Sequence, residues 1–180
     1  MGFIKNIKDF FGRKMVEPKM NSKYIKLPKF SSVQTIGILY NATDENNEKV
    51  IQQIANDYKN QGKKVYLMGF IDYKKPFKQK HIHLFNEYFW HEHLNFFNIP
   101  VFNKLGRFVT EPFDLLINLY NEDILPLQAI AAKSNANFKI GLKTDLALKY
   151  NDTIIDCGKN FSMIDASNQI VHYLNTVNNG

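Results

Sequence analysis

Four histidines fall in two closely spaced pairs, His81 with His83 and His91 with His93. Alternate residues of a strand point to one face, so each pair could present two imidazoles to zinc or another divalent metal. The spacing matches no standard zinc motif, Lys78 and Lys80 flank the first pair, and only Glu87 and Glu92 lie close enough to support one. The preferred reading is partly exposed histidines satisfied by local hydrogen bonds, with no metal or other cofactor. Cys157, the single cysteine, excludes a disulfide framework and any multi-cysteine metal cluster. With no histidine near it in sequence, it reads as a structural thiol. There is no G-x-G-x-x-G, no G-x-x-x-x-G-K-[ST] and no G-x-S-x-G. Gly37 lies inside an apolar run and reads as a place where a helix packs closely.

The chemistry best supported by position is polar and acidic. Asn41, Thr43 and Asp44 follow one apolar run, and Asn118, Asn121, Glu122 and Asp123 end or follow another. Their amides, hydroxyl and carboxylates suit a sugar, an amine or a hydrated cation, and suit a polyphosphate only with Mg²⁺. The competing reading is that Thr43, Asp44 and Asp123 cap helices and the asparagines satisfy turns. The two groups converge only if both runs are neighbouring parallel strands whose C-terminal ends meet where the winding of the sheet reverses.

The elements that would do this can be read from periodicity. Residues 33–40 (VQTIGILY), 63–72 (KKVYLMGFID) and 113–120 (FDLLINLY) are nearly continuous apolar runs, as expected for strands buried on both faces. They should be parallel neighbours. A helix is predicted from about Glu45 to Asn60, capped by Thr43 or Asp44, facing inward with Val50, Ile51, Ile54, Ala55 and Tyr58 and ended by Gly62. Residues 84–97, rich in aromatics without a clean period, read as a short helix leading into a strand near 94–97. Residues 101–110 read as a helix with Phe102, Leu105, Phe108 and Val109 inward. Then follow a helix over 125–134, strands over 137–141 and 153–156, and a terminal helix over 162–176 with Ile164, Ile170, Val171 and Leu174 inward. Alternating strands and helices imply an α/β three-layer sandwich with a mainly parallel sheet, Rossmann-like or flavodoxin-like, over residues 31–177.

The order of phrases VQTIGILYNATDE, GKKVYLMGFID, LNFFNIP, FDLLINLYNEDILPLQAIAAKSNANFKIG and IVHYL resembles a Bacteroidota family of small α/β proteins that is itself a domain of unknown function. That resemblance covers nearly the whole chain and implies a cytoplasmic α/β protein without implying any catalytic residue. Locally, FDLLINL and AIAAKSNANFKIG are similar to the N-terminal Rossmann domain of heptosyltransferase-like glycosyltransferases. Those enzymes need a second Rossmann domain, for which 180 residues leave no room.

Charge separates the first 30 residues from the rest. They hold eight lysines and arginines against Asp9 and Glu17, which is the entire net charge of +6. The remaining residues balance. Phe3, Ile4, Ile7, Phe10 and Phe11 share one helical face, among Lys5, Lys8, Arg13 and Lys14, and Gly12 is a plausible stop. A short amphipathic helix of this kind must dock. It could pack on its own domain, on a second copy, on another protein, on an anionic membrane surface, or on RNA or a ribosome. Residues 15–30 read as an extended connector. No apolar run reaches membrane-spanning length and no signal-peptide core is expected, so the chain reads as cytoplasmic or peripheral to a membrane. With no nucleophile, base and orienting group in one constellation, the reading leans to a non-enzymatic adaptor or binding module attached through its basic arm. The alternative is a small-ligand or sugar-related enzyme, a glycosyltransferase-like half-domain, using the crevice.

Overall fold

Six strands hydrogen-bond into one sheet in the computed structural model, which describes residues 2–16, 26–73 and 86–177, with side chains from Lys8 onward. Strands β1 (Thr35–Asn41), β2 (Lys64–Ile71), β3 (Asn86–Trp90), β4 (Leu115–Leu119), β5 (Phe138–Leu142) and β6 (Thr153–Ile155) take the order β3-β2-β1-β4-β5-β6, and every neighbouring pair is parallel. This is the doubly wound Rossmann order, whose winding reverses between β1 and β4. The three apolar runs at its centre are parallel neighbours as expected, with Ile36 opposite Val65 on one side and Leu115 on the other.

Strands buried on both faces need helices on both. On one face lie α2 (Glu45–Asn60) and α4 (Met163–Thr176), which cover Ile36, Ile38, Ile117 and Ile140 with Ile51, Ile54, Ile170 and Leu174. Asp44 caps α2 by accepting from the Asn46 N–H, and Gly62, at φ +80°, follows its end in a conformation other residues rarely adopt. Ser162 and Asp165 form a capping box at the start of α4. Ile164 and Val171, expected to face inward, are only partly buried, and Ala166 and Ser167 take the inner positions. On the opposite face lies α3 (Leu125–Lys133), buried nearly all round, together with the connection between β3 and β4.

Two expected elements differ. Residues 84–97 hold strand β3 and a one-turn 3₁₀ segment, His91–His93, in place of a helix followed by a strand; Leu94 makes only an isolated antiparallel bridge to Pro100. Aromatics face both sides of this strand, Tyr88 and Trp90 toward one layer and Phe89 toward the other, so its sequence carries no alternation of apolar and polar residues to mark it. Residues 101–110 form two 3₁₀ turns, Phe102–Lys104 and Arg107–Val109, in place of one helix. Gly106 separates them and approaches the Glu87 carboxylate so closely that a Cβ would lie 2.2 Å from it. Phe108 and Val109 are buried as expected, while Phe102 and Leu105 pack at the core's margin. Gly37 makes room for the Phe113 ring, 2.6 Å from where its Cβ would be, and not for a helix.

The N-terminal arm forms α1 (Gly2–Met15), which runs through Gly12 instead of stopping there. The helix docks on the body with the stripe Asp9, Gly12, Arg13 and Val16, at the i, i+3, i+4, i+7 spacing of one helical face. Asp9 accepts from Asn98 Nδ2 at 2.6 Å; Arg13 donates to Gln128 Oε1 at 2.6 Å and to the Asp123 carbonyl at 3.0 Å; Val16 is buried. Gly12 lies where a Cβ would meet the Phe97 carbonyl oxygen at 2.4 Å, so the missing side chain lets the helix seat.

Candidate functional site

The reversal between β1 and β4 leaves a cleft of about 190 Å³ at the C-terminal edge of the sheet. Its walls come from five places: Asp9 on α1, Asn41 at the end of β1, Phe70 and Asp72 at the end of β2, His91, Leu94 and Asn98 after β3, and Glu122 to Pro126 before and within α3. The volume lies below the usual range for drug-sized ligands, about 300–1,000 Å³, and suits a small polar molecule.

Of the seven residues expected to form the site, Asn41, Glu122 and Asp123 line the cleft; Thr43, Asp44, Asn118 and Asn121 do not. Their hydrogen bonds explain where they went. Asn41 Oδ1 accepts from the Thr43 N–H at 3.0 Å, and Thr43 Oγ1 accepts from the Asp72 N–H at 3.0 Å, which ties β1 to β2 at the rim. Asp44 is committed to the start of α2, with Glu45 and Glu48 in the same first turn. That helix N-terminus, where a dinucleotide fold receives its phosphates, is thus filled by carboxylates. Asn118 is buried and donates from Nδ2 to Asn151 Oδ1 at 2.6 Å, and the same Asn151 packs over Gly141. Asn121 is exposed. Asp123 is a hub: its Oδ1 accepts from Gln128 Nε2, Thr144 Oγ1 and the Leu146 N–H.

Sequence reasoning missed Asp9, Asp72, His91 and Asn98. Asp72 was accessible, because it ends the strand beside β1 and the same topological argument reaches it. His91 and Asn98 were not, because they sit in the misread segment. His91 Nε2 lies 2.6 Å from Asp72 Oδ1, with the Phe70 ring edge-on to the imidazole at 6.1 Å. A carboxylate orienting an imidazole is half of a general-base arrangement, but among the described residues no hydroxyl or thiol is bonded to His91. His93 turns away, its Nδ1 accepting from the Trp90 N–H and its ring packed against Trp90 at 4.2 Å. Burial pulls the His93 imidazole below its ordinary pKa. His91 and His93 therefore share no strand face, since the backbone there is a 3₁₀ turn. His81 and His83 lie outside the described residues, and among those described no cluster of three metal-ligating groups occurs.

A second cleft, of about 480 Å³, lies at the ends of β5 and β6 and is lined by Lys143, Thr144, Asp156, Cys157 and Lys159 among others. Lys143 and Asp156 pair across 2.5 Å, both well exposed. Burial, with the Asp156 and Asp165 carboxylates adding, pushes the Cys157 thiol up, away from the thiolate that nucleophilic chemistry requires.

The surface of α1 completes the candidate interfaces. Docking by its Asp9–Val16 stripe leaves Phe10 56% exposed, Phe11 51% and Met15 60%, and Phe96 on the adjoining turn 68%. Lys8 sits over the Phe96 ring at 4.1 Å and Lys14 over the Phe10 ring at 4.6 Å. The side chains of Phe3, Ile4, Lys5 and Ile7 lie outside those described.

A family model matches residues 8–177. The chain belongs to the family of unknown function DUF6913. The match spans α1 from Lys8, all six strands and α4, so membership covers both the docked helix and the cleft. No curated protein and no solved structure matches the chain. Among the described residues, no helix is long and apolar enough to cross a membrane.

Proposed function

We propose that this DUF6913 protein is a non-enzymatic adaptor, an α/β body held to a partner or surface by α1, working in the cytoplasm or at the periphery of a membrane. The observation that supports it is the way α1 is seated. A helix that served only the fold would bury its apolar residues; this one anchors itself with Asp9, Arg13 and Val16 and turns Phe10, Phe11 and Met15 to solvent. Contiguous exposed apolar side chains on an otherwise well-buried domain mark interaction surfaces. The test is fractionation of cells that naturally make the protein. The wild-type chain is expected in a high-mass or particulate fraction, and Phe10→Asp with Phe11→Asp in the free monomer fraction with an unchanged melting temperature. A wild-type chain that runs as free monomer overturns the adaptor reading.

A second reading is favoured by the cleft being open at the switch point. There a small polar ligand, an amine or a sugar, would be held by Asp72, Glu122 and His91. Thermal-shift titration with monosaccharides and small diamines tests it. A rise in melting temperature that Asp72→Asn or Glu122→Gln removes supports a ligand; no rise across the panel, or one that survives both substitutions, opposes it.

A further inference from the structure

Resting on the adaptor reading, we infer that the surface of α1 docks on an anionic lipid membrane, with Phe10, Phe11, Met15 and Phe96 entering the interface and Lys8 and Lys14 reaching the headgroups.

The patch is continuous. Phe10 and Phe11 touch edge to face with centroids 5.7 Å apart, Phe11 and Met15 stand one turn apart, and Lys8 bridges α1 to Phe96. Its chemistry is mixed in one particular way: apolar bodies that carry no hydrogen-bonding group, interleaved with flexible cations. A membrane interface offers both complements at once, an apolar layer a few ångströms deep beneath a negative surface. Charge selects among the occupants. All of the +6 lies in residues 1–30, so a symmetric pairing of two such faces would bring two strongly cationic arms together. RNA would satisfy the lysines, but the Phe10 and Phe96 faces on which bases would stack are covered by Lys14 and Lys8, and Met15 has no ring to stack on. The balanced body behind the arm gives nucleic acid no track to follow. Seating also fits: the stripe that holds α1 to the body is opposite the patch, so a helix lying flat on a membrane keeps its contacts with Asn98, Asp123 and Gln128.

The experiment is co-sedimentation of the full chain with large unilamellar vesicles of phosphatidylcholine alone or with about one-third phosphatidylglycerol. Binding to the anionic vesicles is expected, at least about tenfold tighter than to the neutral ones, and weakened by salt. Phe10→Ser with Phe11→Ser should weaken it by about tenfold or more, because each ring is already half covered and gains only the rest of its burial. Lys8→Gln with Lys14→Gln should weaken it by about tenfold or more. Phe10, Phe11 and Lys14 are exposed and Lys8 is partly so, and unchanged melting temperatures will show that the variants fold.

Any of these results overturns the inference: no binding by the wild type; equal binding to both vesicles; binding lost with the lysines but untouched by the serines; or a wild-type dimer in sedimentation equilibrium that the serine variant dissociates. Binding of poly(U) that displaces the chain from anionic vesicles assigns the surface to RNA and overturns it as well. If the vesicles fail while the cell fractionation succeeds, the adaptor reading stands and only the lipid assignment falls.

Discussion

At the scale of single residues, two carboxylates hold this fold with opposite pH signatures. Asp114, just before β4, accepts from the backbone N–H groups of Gln34 and Thr35, both at 2.9 Å, and from the Thr35 hydroxyl at 3.0 Å, thereby clamping the start of β1 to β4. Burial opposes ionisation, but the hydrogen bonds from Thr35 and Gln34 outweigh it and hold the carboxyl below its ordinary range. Its stabilisation is therefore present above about pH 4 and is lost as pH falls through the lowered value. Asp114→Ala should cost about 1–3 kcal/mol at neutral pH, with the difference from wild type in urea unfolding shrinking below pH ~4. Glu87 behaves in reverse. Burial raises its carboxyl despite donation from the Phe108 N–H at 3.0 Å, and its Oε2 is buried without a partner. The stabilisation from the protonated form is present below about pH 4 and is lost as pH rises through the raised value. Glu87→Gln should therefore gain on the wild type as pH rises from about 4, near the ordinary carboxylate value, through the raised value. A constant difference in urea midpoint across that interval would show that Glu87 ionises without penalty.

At the scale of elements, α1 is the one whose attachment can be separated from its formation. Gly12 is the contact of closest approach, so Gly12→Ala improves helix propensity by about 1 kcal/mol while forbidding the seated position. The expected result is a helix that lifts from the body: tryptic cleavage at Lys8, Arg13 and Lys14 speeds up and the melting temperature falls by only a few degrees, since most of the core does not involve α1. Unchanged cleavage would mean that Phe97 and Leu125 yield and the helix stays seated. The contrast with α2 and α4 is instructive. Both present apolar faces to the sheet and use side-chain caps at their starts, and Tyr58 on α2 and Ser167 on α4 share a buried hydrogen bond of 2.6 Å. Burial pushes the Tyr58 phenol up to about 12, so the bond persists throughout the neutral range.

At the scale of the whole molecule, β4 is the keystone of the sheet, paired with β1 and β5 and covered on both faces. Ile117, 1% exposed, is enclosed in the core between the sheet and the α2–α4 layer, so Ile117→Ala should cost about 2–5 kcal/mol in chemical denaturation. A loss below about 1 kcal/mol would mean that the two layers can slide to fill it.

The three central strands, α2 with its Asp44 cap, and the parallel order of β1, β2 and β4 were legible in the residues. A strand buried on both faces must be apolar throughout, and a helix start must satisfy its own N–H groups nearby in sequence. Local pattern failed where aromatics crowd both faces of β3 and where Gly106 yields its side-chain space to Glu87. The candidate site was half legible. That polar loops meet between β1 and β4 follows from topology, but which polar groups remain free does not. Thr43, Asp44 and Asn118 were withdrawn into a bond between strand ends, a helix cap and an amide pair, while Asp9, Asp72, His91 and Asn98 arrived from three separate segments. The amphipathic stripe of α1 likewise names an apolar face without saying which way it turns. Helical periodicity fixes faces relative to one another; only the polar contacts of Asp9 and Arg13 with partners about 90 to 115 residues away orient the helix on the body.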